Sequence, residues 1–140
     1  MATFSKILVP VDLTDKNHEA ILTARDLALA SEGDVWLFHV IEELDAPRED
    51  LEDFYGGLEA RARAKLQQFA EPLRAAGVSV GEKIAYGHRA VEIVQFAREH
   101  EFDLVVMTSH RIDPEHLARS MMTISHQVAI VADPPVLLLR

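Results

Sequence analysis

The groups best placed to do chemistry lie between Ser109 and Ile124, in SHRIDPEHLARSMMTI. Ser109, Thr123, Arg111, His110 and His116 are side chains that can meet an oxyanion. They sit between a buried apolar strand, DLVVMT, and a helix leading to a final strand, PVLLL. That is the layout of a nucleotide-binding α/β half-domain. A phosphate held there needs backbone N–H groups aimed at it and a chain that passes close, which calls for positive φ and no Cβ. The stretch contains no glycine. A left-handed conformation costs a β-branched residue such as Ile112 roughly 1–2 kcal/mol, and Pro114 removes a donor. Asp113 and Glu115 would face a triphosphate, and like charges ~5 Å apart cost roughly 3 kcal/mol at an effective dielectric near 20. Arg111 and a protonated His110 or His116 would offset part of that.

Other chemistry finds less support. Of seven histidines, His110, His116 and His126 share one region, but their spacing does not put them on one helical face. Zinc-ligand spacing is absent and no cysteine exists, so no metal site is expected. Ser109 and His110 are adjacent without the G-x-S-x-G elbow of a hydrolase. The carboxylates clustered from Glu42 to Glu59 are too exposed to form a tuned acid–base pair. Met107, Met121 and Met122 read as core filler. No catalytic residue is assigned.

The elements that must position these groups alternate. Phe4–Val11 reads as a strand buried on both faces. Asp12–Asp15 breaks it, with Thr14 or Asp15 capping a helix to about Ser31 and Gly33 ending that helix in the left-handed region. Asp34–Ile41 is a second strand. A helix from about Asp50 to Ala76 carries Leu58, Ala62, Leu66, Phe69 and Leu73, and Gly77 ends it. Val78–Tyr86 reads as a strand nearer an edge. A helix after Gly87-His88 turns Ala90, Ile93, Val94 and Ala97 inward. Asp103–Thr108 is the fourth strand. One helix is expected from Pro114 to Ala132, with Leu117, Met121, Ile124 and Val128 as its stripe, and Pro135–Leu139 is the fifth strand. Such alternation implies an α/β fold, a parallel sheet with helices on both faces. Ligands sit outside the carboxyl ends of such strands, where strand order reverses. That points to Pro10-Val11-Asp12, His39-Val40, Tyr86-Gly87 and Met107–Arg111.

Composition sets the frame. The 140 residues suit a single domain, 1–140. No run reaches the roughly 18 apolar residues that span a bilayer, and MATFSKILVPVD lacks a signal-peptide pattern, so a cytoplasmic protein is expected. The net charge of −9 is concentrated between Glu42 and Glu59, where eight carboxylates face Arg48 alone. Nucleic acid and anionic lipid are therefore not expected partners.

Several segments, in this order, resemble the universal stress protein family over the whole chain. They are KILVPVD at Lys6–Asp12, the His39-Val40 pair, Ala75–Val78, YGHRAVEIVQFA at Tyr86–Ala97, DLVVMTSH at Asp103–His110 and DPPVLLLR at Asp133–Arg140. The resemblance implies a single doubly wound, Rossmann-like five-stranded parallel sheet ordered 3-2-1-4-5. It also implies a homodimer in which Val136, Leu137, Leu138 and Leu139 pair antiparallel across a two-fold axis, covering an apolar edge. One branch of the family binds ATP through Gly-x-x-Gly, nine residues, then Gly-Ser or Gly-Thr. Here Ser109–His116 replaces the first part, Met122 stands at the third glycine and Thr123 keeps the hydroxyl, so the chain resembles the branch without that motif.

The resemblance thus implies a cytoplasmic homodimer that acts in the stress response by binding, without catalysis and without cofactor, through an unidentified protein partner. The alternative is a regulatory switch that binds ATP or AMP with magnesium and hydrolyses ATP weakly or not at all. Its ligand would meet Pro10, Val11, Asp12, Val40, Met107, His110, Arg111 and Thr123, with Asp12 against the nucleoside and Val40 and Met107 flanking adenine.

Overall fold

The computed structural model describes residues 4–43, 51–109, 114–118 and 123–140. The chain opens with β1 (Lys6–Pro10) and a 3-10 turn at Asp15–Asn17. It continues with α1 (His18–Ser31), β2 (Asp34–Ile41), α2 (Glu52–Ala75), β3 (Ser79–Tyr86), α3 (Arg89–Glu99) and β4 (Leu104–Thr108). A second 3-10 turn at Pro114–His116 precedes α4 (Ile124–Val131) and β5 (Val136–Leu139). The five strands form one sheet in the order β3-β2-β1-β4-β5, and every pairing is parallel. The expected fold class and strand order are both present.

β1 explains why the sheet is covered twice. Ile7, Leu8 and Val9 are all fully buried, and the pleat sends them alternately to opposite faces. Ile7 and Val9 join Val35, Leu37, Ala24, Leu66 and Leu73 in the layer under α1 and α2. Leu8 joins Phe38, Val105, Met107, Ile93 and Val128 under α3 and α4. Phe38 also stacks on Phe96 of α3, with ring centroids 4.5 Å apart. Asp103 ties the start of β4 to the start of β1: its Oδ2 accepts from Ser5 N (2.8 Å), Ser5 Oγ (2.7 Å) and Lys6 N (3.0 Å).

Three local expectations are corrected. Glu32, not Gly33, is the left-handed residue after α1, with φ 51°. Gly33 is needed for space, because a Cβ there would lie 2.6 Å from the Phe4 carbonyl oxygen and 2.9 Å from Ser5 Cα. Neither Thr14 nor Asp15 caps α1: the 3-10 turn intervenes, and the Thr14 hydroxyl donates to Asp12 Oδ1. The single helix from Pro114 to Ala132 is also interrupted. Thr123 is extended (φ −70°, ψ 159°), so α4 begins only at Ile124. Val128 is fully buried, whereas Leu117 is half exposed; Met121 lies outside the described residues. Gly77 ends α2 at φ 82°, as read from the sequence.

Candidate functional site

β1 leads outward through β2 to β3, while β4 and β5 lie on its other side, so strand order reverses between β1 and β4. At the carboxyl ends of these strands opens a cleft of about 280 Å³. Phe38, Val40, Ile93 and Met107, all buried, give it apolar walls. Asp12, Asn17, Thr108, Arg89, Thr123 and Ser125 supply the polar part of its lining.

Asp12 is held by its own turn. Its N–H donates to Asn17 Oδ1 at 3.0 Å, and the buried Asn17 is anchored through its N–H to the Thr14 carbonyl at 3.1 Å. Asp12 Oδ1 accepts from Thr14 N at 3.0 Å and Thr14 Oγ1 at 2.7 Å. This is the turn-capping role expected of an aspartate after a strand. It also fixes an exposed carboxylate at the cleft. The Thr108 hydroxyl donates to the Lys16 carbonyl at 3.2 Å, joining the end of β4 to the same turn.

The opposite wall is a hydroxyl network. Ser125 Oγ donates to the buried Ser109 Oγ at 3.0 Å and lies 3.2 Å from Thr123 Oγ1. Thr123 Oγ1 is 2.7 Å from Nδ1 of the buried His126. Thr123 therefore uses its hydroxyl on His126 and makes no side-chain cap on α4. Ser109 N donates to the Leu139 carbonyl at 2.6 Å, which sets the end of β4 against β5.

His39, at the end of β2, donates through Nδ1 to the Val11 carbonyl at 2.9 Å. A carbonyl can only accept, so the proton sits on Nδ1 when the ring is neutral. Burial pushes its pKa below the ordinary histidine value, and the nearby Arg89 charge pushes the same way against the Val11 hydrogen bond and Asp12. Neutral imidazole is the favoured form near pH 7.

Of the residues picked from the sequence, Pro10, Val11, Asp12, Val40, Met107 and Thr123 line this one cleft. His110 and Arg111 lie outside the described residues. Tyr86 and Gly87 are not in its lining. Sequence reasoning missed Asn17, Arg89, Ile93 and Ser125, whose places depend on how the turn after β1, α3 and α4 dock; the only hint was the Gly87-His88-Arg89 turn at the end of β3. Among the described residues, no group of three or more His, Cys, Asp or Glu could hold a metal, and no helix is long and apolar enough to cross a membrane.

A doubly wound parallel sheet with a small cleft at its switch point defines a Rossmann-like α/β domain. A profile of the universal stress protein family matches residues 3–140, and the chain belongs to that family. Solved structures agree in fold. The universal stress protein UspA from Lactobacillus plantarum superposes with TM-score 0.84 at 23% identity, covering 100% of both chains. A universal stress protein in complex with cAMP gives 0.77 at 19% identity, covering 99% of this chain and 98% of its own. A universal stress protein from Archaeoglobus fulgidus in complex with dAMP gives 0.73 at 19% identity, covering 99% of each chain. Among curated proteins, none matches significantly.

Proposed function

We propose that this chain is a cytoplasmic, one-domain stress-response protein that acts by binding, without catalysis. Its cleft takes the nucleoside part of an adenine nucleotide, with no reliance on a glycine-rich phosphate loop. The observation that carries the reading is the lining of the switch-point cleft. Buried Val40, Ile93 and Met107 offer apolar surface to a planar base, and Asp12 holds a carboxylate ready for ribose hydroxyls. At about 280 Å³ the cleft lies near the small end of ligand sites, which suits a nucleoside better than a triphosphate. Two proteins of the same fold hold cAMP and dAMP, both monophosphates. The absence of glycine between Ser109 and Thr123 weighs against a cradled triphosphate.

The same reading includes a homodimer through β5. Among the described residues β5 pairs only with β4, and its Leu137 is exposed, as are Ile130 and Val131 on α4. An apolar outer edge is a template for pairing with a second copy.

Calorimetric titration with adenosine, AMP and magnesium ATP tests the ligand. Saturable binding of adenosine and AMP is expected, with ATP no tighter than AMP and roughly tenfold weaker binding in Asp12→Ala, the loss of one or two charge-assisted hydrogen bonds. Absence of saturable binding by all three below about 1 mM, or tight ATP binding indifferent to Asp12, would overturn the reading. ATP incubated with the protein should be consumed no faster than in buffer.

A further inference from the structure

A second cavity adjoins the cleft on the other side of the tip of β2. It also measures about 280 Å³ and is lined by Leu13, His39, Val40, Ile41, Glu42, Leu58, Arg61 and Arg89. Val40 and Arg89 line both spaces; Arg61 and His39 line only the second. Its apolar lining comes from Leu13, Val40, Ile41 and Leu58. Its charges are two guanidinium groups and one carboxylate, a local excess of positive charge in a chain of net charge −9.

The two arginines are in different states. Arg89 Nε lies 3.6 Å from Glu42 Oε1, a loose and largely exposed ion pair. Such pairs are worth little and exchange readily for a better acceptor. Arg61 is exposed on α2 and makes no ion pair or side-chain hydrogen bond among the described residues. Gly57 lies one turn earlier on the same helix, where a Cβ would make only an ordinary 3.6 Å contact with the guanidinium. His39 donates through Nδ1 to the Val11 carbonyl, which leaves Nε2 as an acceptor on a cavity-lining ring.

We infer that this second cavity is an anion site that holds a compact oxyanion, a phosphoryl or carboxylate head group, between the guanidinium groups of Arg61 and Arg89. Planar guanidinium forks match the geometry of both head groups. The apolar lining favours an oxyanion carried on a short hydrocarbon or similar small body. The His39 acceptor favours one bearing a hydroxyl or an acidic proton. The cavity shares Val40 and Arg89 with the cleft, but Arg61 and His39 line the cavity alone, so a change at Arg61 distinguishes the two readings.

The test is an NMR titration of the full chain at pH 7, following the arginine Nε–Hε resonances. Inorganic phosphate and butyrate are added separately, with sodium chloride at matched ionic strength as control. The Arg61 and Arg89 resonances should move saturably, with a midpoint on the order of 1 mM for one or both anions. Saturation by phosphate alone assigns a phosphoryl group, and saturation by butyrate alone a carboxylate. Arg61→Gln, an exposed change that leaves the cleft intact, should weaken binding about tenfold while adenosine affinity stays as in wild type. Shifts that merely follow ionic strength, or an Arg61→Gln protein that binds both anions as wild type does, would overturn the assignment. Failure of the adenosine titration would not touch it.

Discussion

Asp12 divides its carboxylate between two tasks. Oδ1 is engaged by the Thr14 N–H and hydroxyl, so the turn after β1 and the cleft are built by one residue. Asp12→Ala should therefore lower stability by about 1 kcal/mol in urea denaturation, the ordinary worth of such hydrogen bonds, besides the proposed loss of nucleoside affinity. Two other groups set pH dependence. Asp103 is held below the usual carboxylate range, first by the Ser5 hydroxyl and then by the N–H groups of Ser5 and Lys6, partly opposed by desolvation. A depressed carboxylate stabilises the fold above its unfolded pKa of about 3.9, and that contribution is lost as pH falls through the lower folded value. The stability of wild type relative to Asp103→Asn should be constant near neutrality and shrink below about pH 4. His39 works in the neighbouring window. Its folded pKa is lowered by burial, so its contribution is intact above about pH 6.5 and fades as pH falls from there. His39→Gln should flatten the stability profile as pH falls below about 6.5.

At the scale of the element, two glycines are required by close approach. A Cβ on Gly81 in β3 would fall 2.6 Å from the ring of Trp36, its register partner on β2. A Cβ on Gly33 would meet the backbone of Phe4 and Ser5, which cannot swing aside. Each change to alanine should cost about 1–3 kcal/mol in chemical denaturation, Gly33→Ala the more. Which glycines matter in this way was not legible in the sequence, because both clashes involve residues of another segment. Elements whose boundaries are set locally were legible. β2 begins after Gly33 and ends where apolar residues give way to Glu42, and the reading Asp34–Ile41 agrees with the structure. The helix expected from Pro114 to Ala132 has a continuous period on paper, but the extended Thr123 breaks it. That break turns the Thr123 hydroxyl to His126 and sets Ser125 against Ser109, contacts that periodicity does not encode. The cleft itself followed from topology. Once five parallel strands were recognised, Asp12, Val40 and Met107 had to gather at one end of the sheet. Arg89 and Ser125 came from the docking of α3 and α4.

For the molecule as a whole, the two sheet edges are unequal. β3 carries Glu82 and Lys83, and Arg74 of α2 donates to Glu82 at 2.9 Å, so charge guards that edge. β5 offers VLLL. Leu138 and Leu139 already pack against the two core layers, so a charge on either would damage the protomer. Leu137 belongs to neither layer. Leu137→Asp should give a folded monomer in sedimentation, with the circular dichroism of wild type; a dimer of unchanged mass would reject pairing through β5. The order of the strands also has a consequence for biogenesis. Ser5 meets Asp103 across 98 positions, and β1 is flanked on one side by β4. At about 5–20 residues per second, a ribosome needs roughly 5–20 s after making the first strand to deliver that neighbour. Throughout that interval one side of a strand destined for burial on both faces stays unzipped, with Ile7, Leu8 and Val9 uncovered until the last third of the chain emerges.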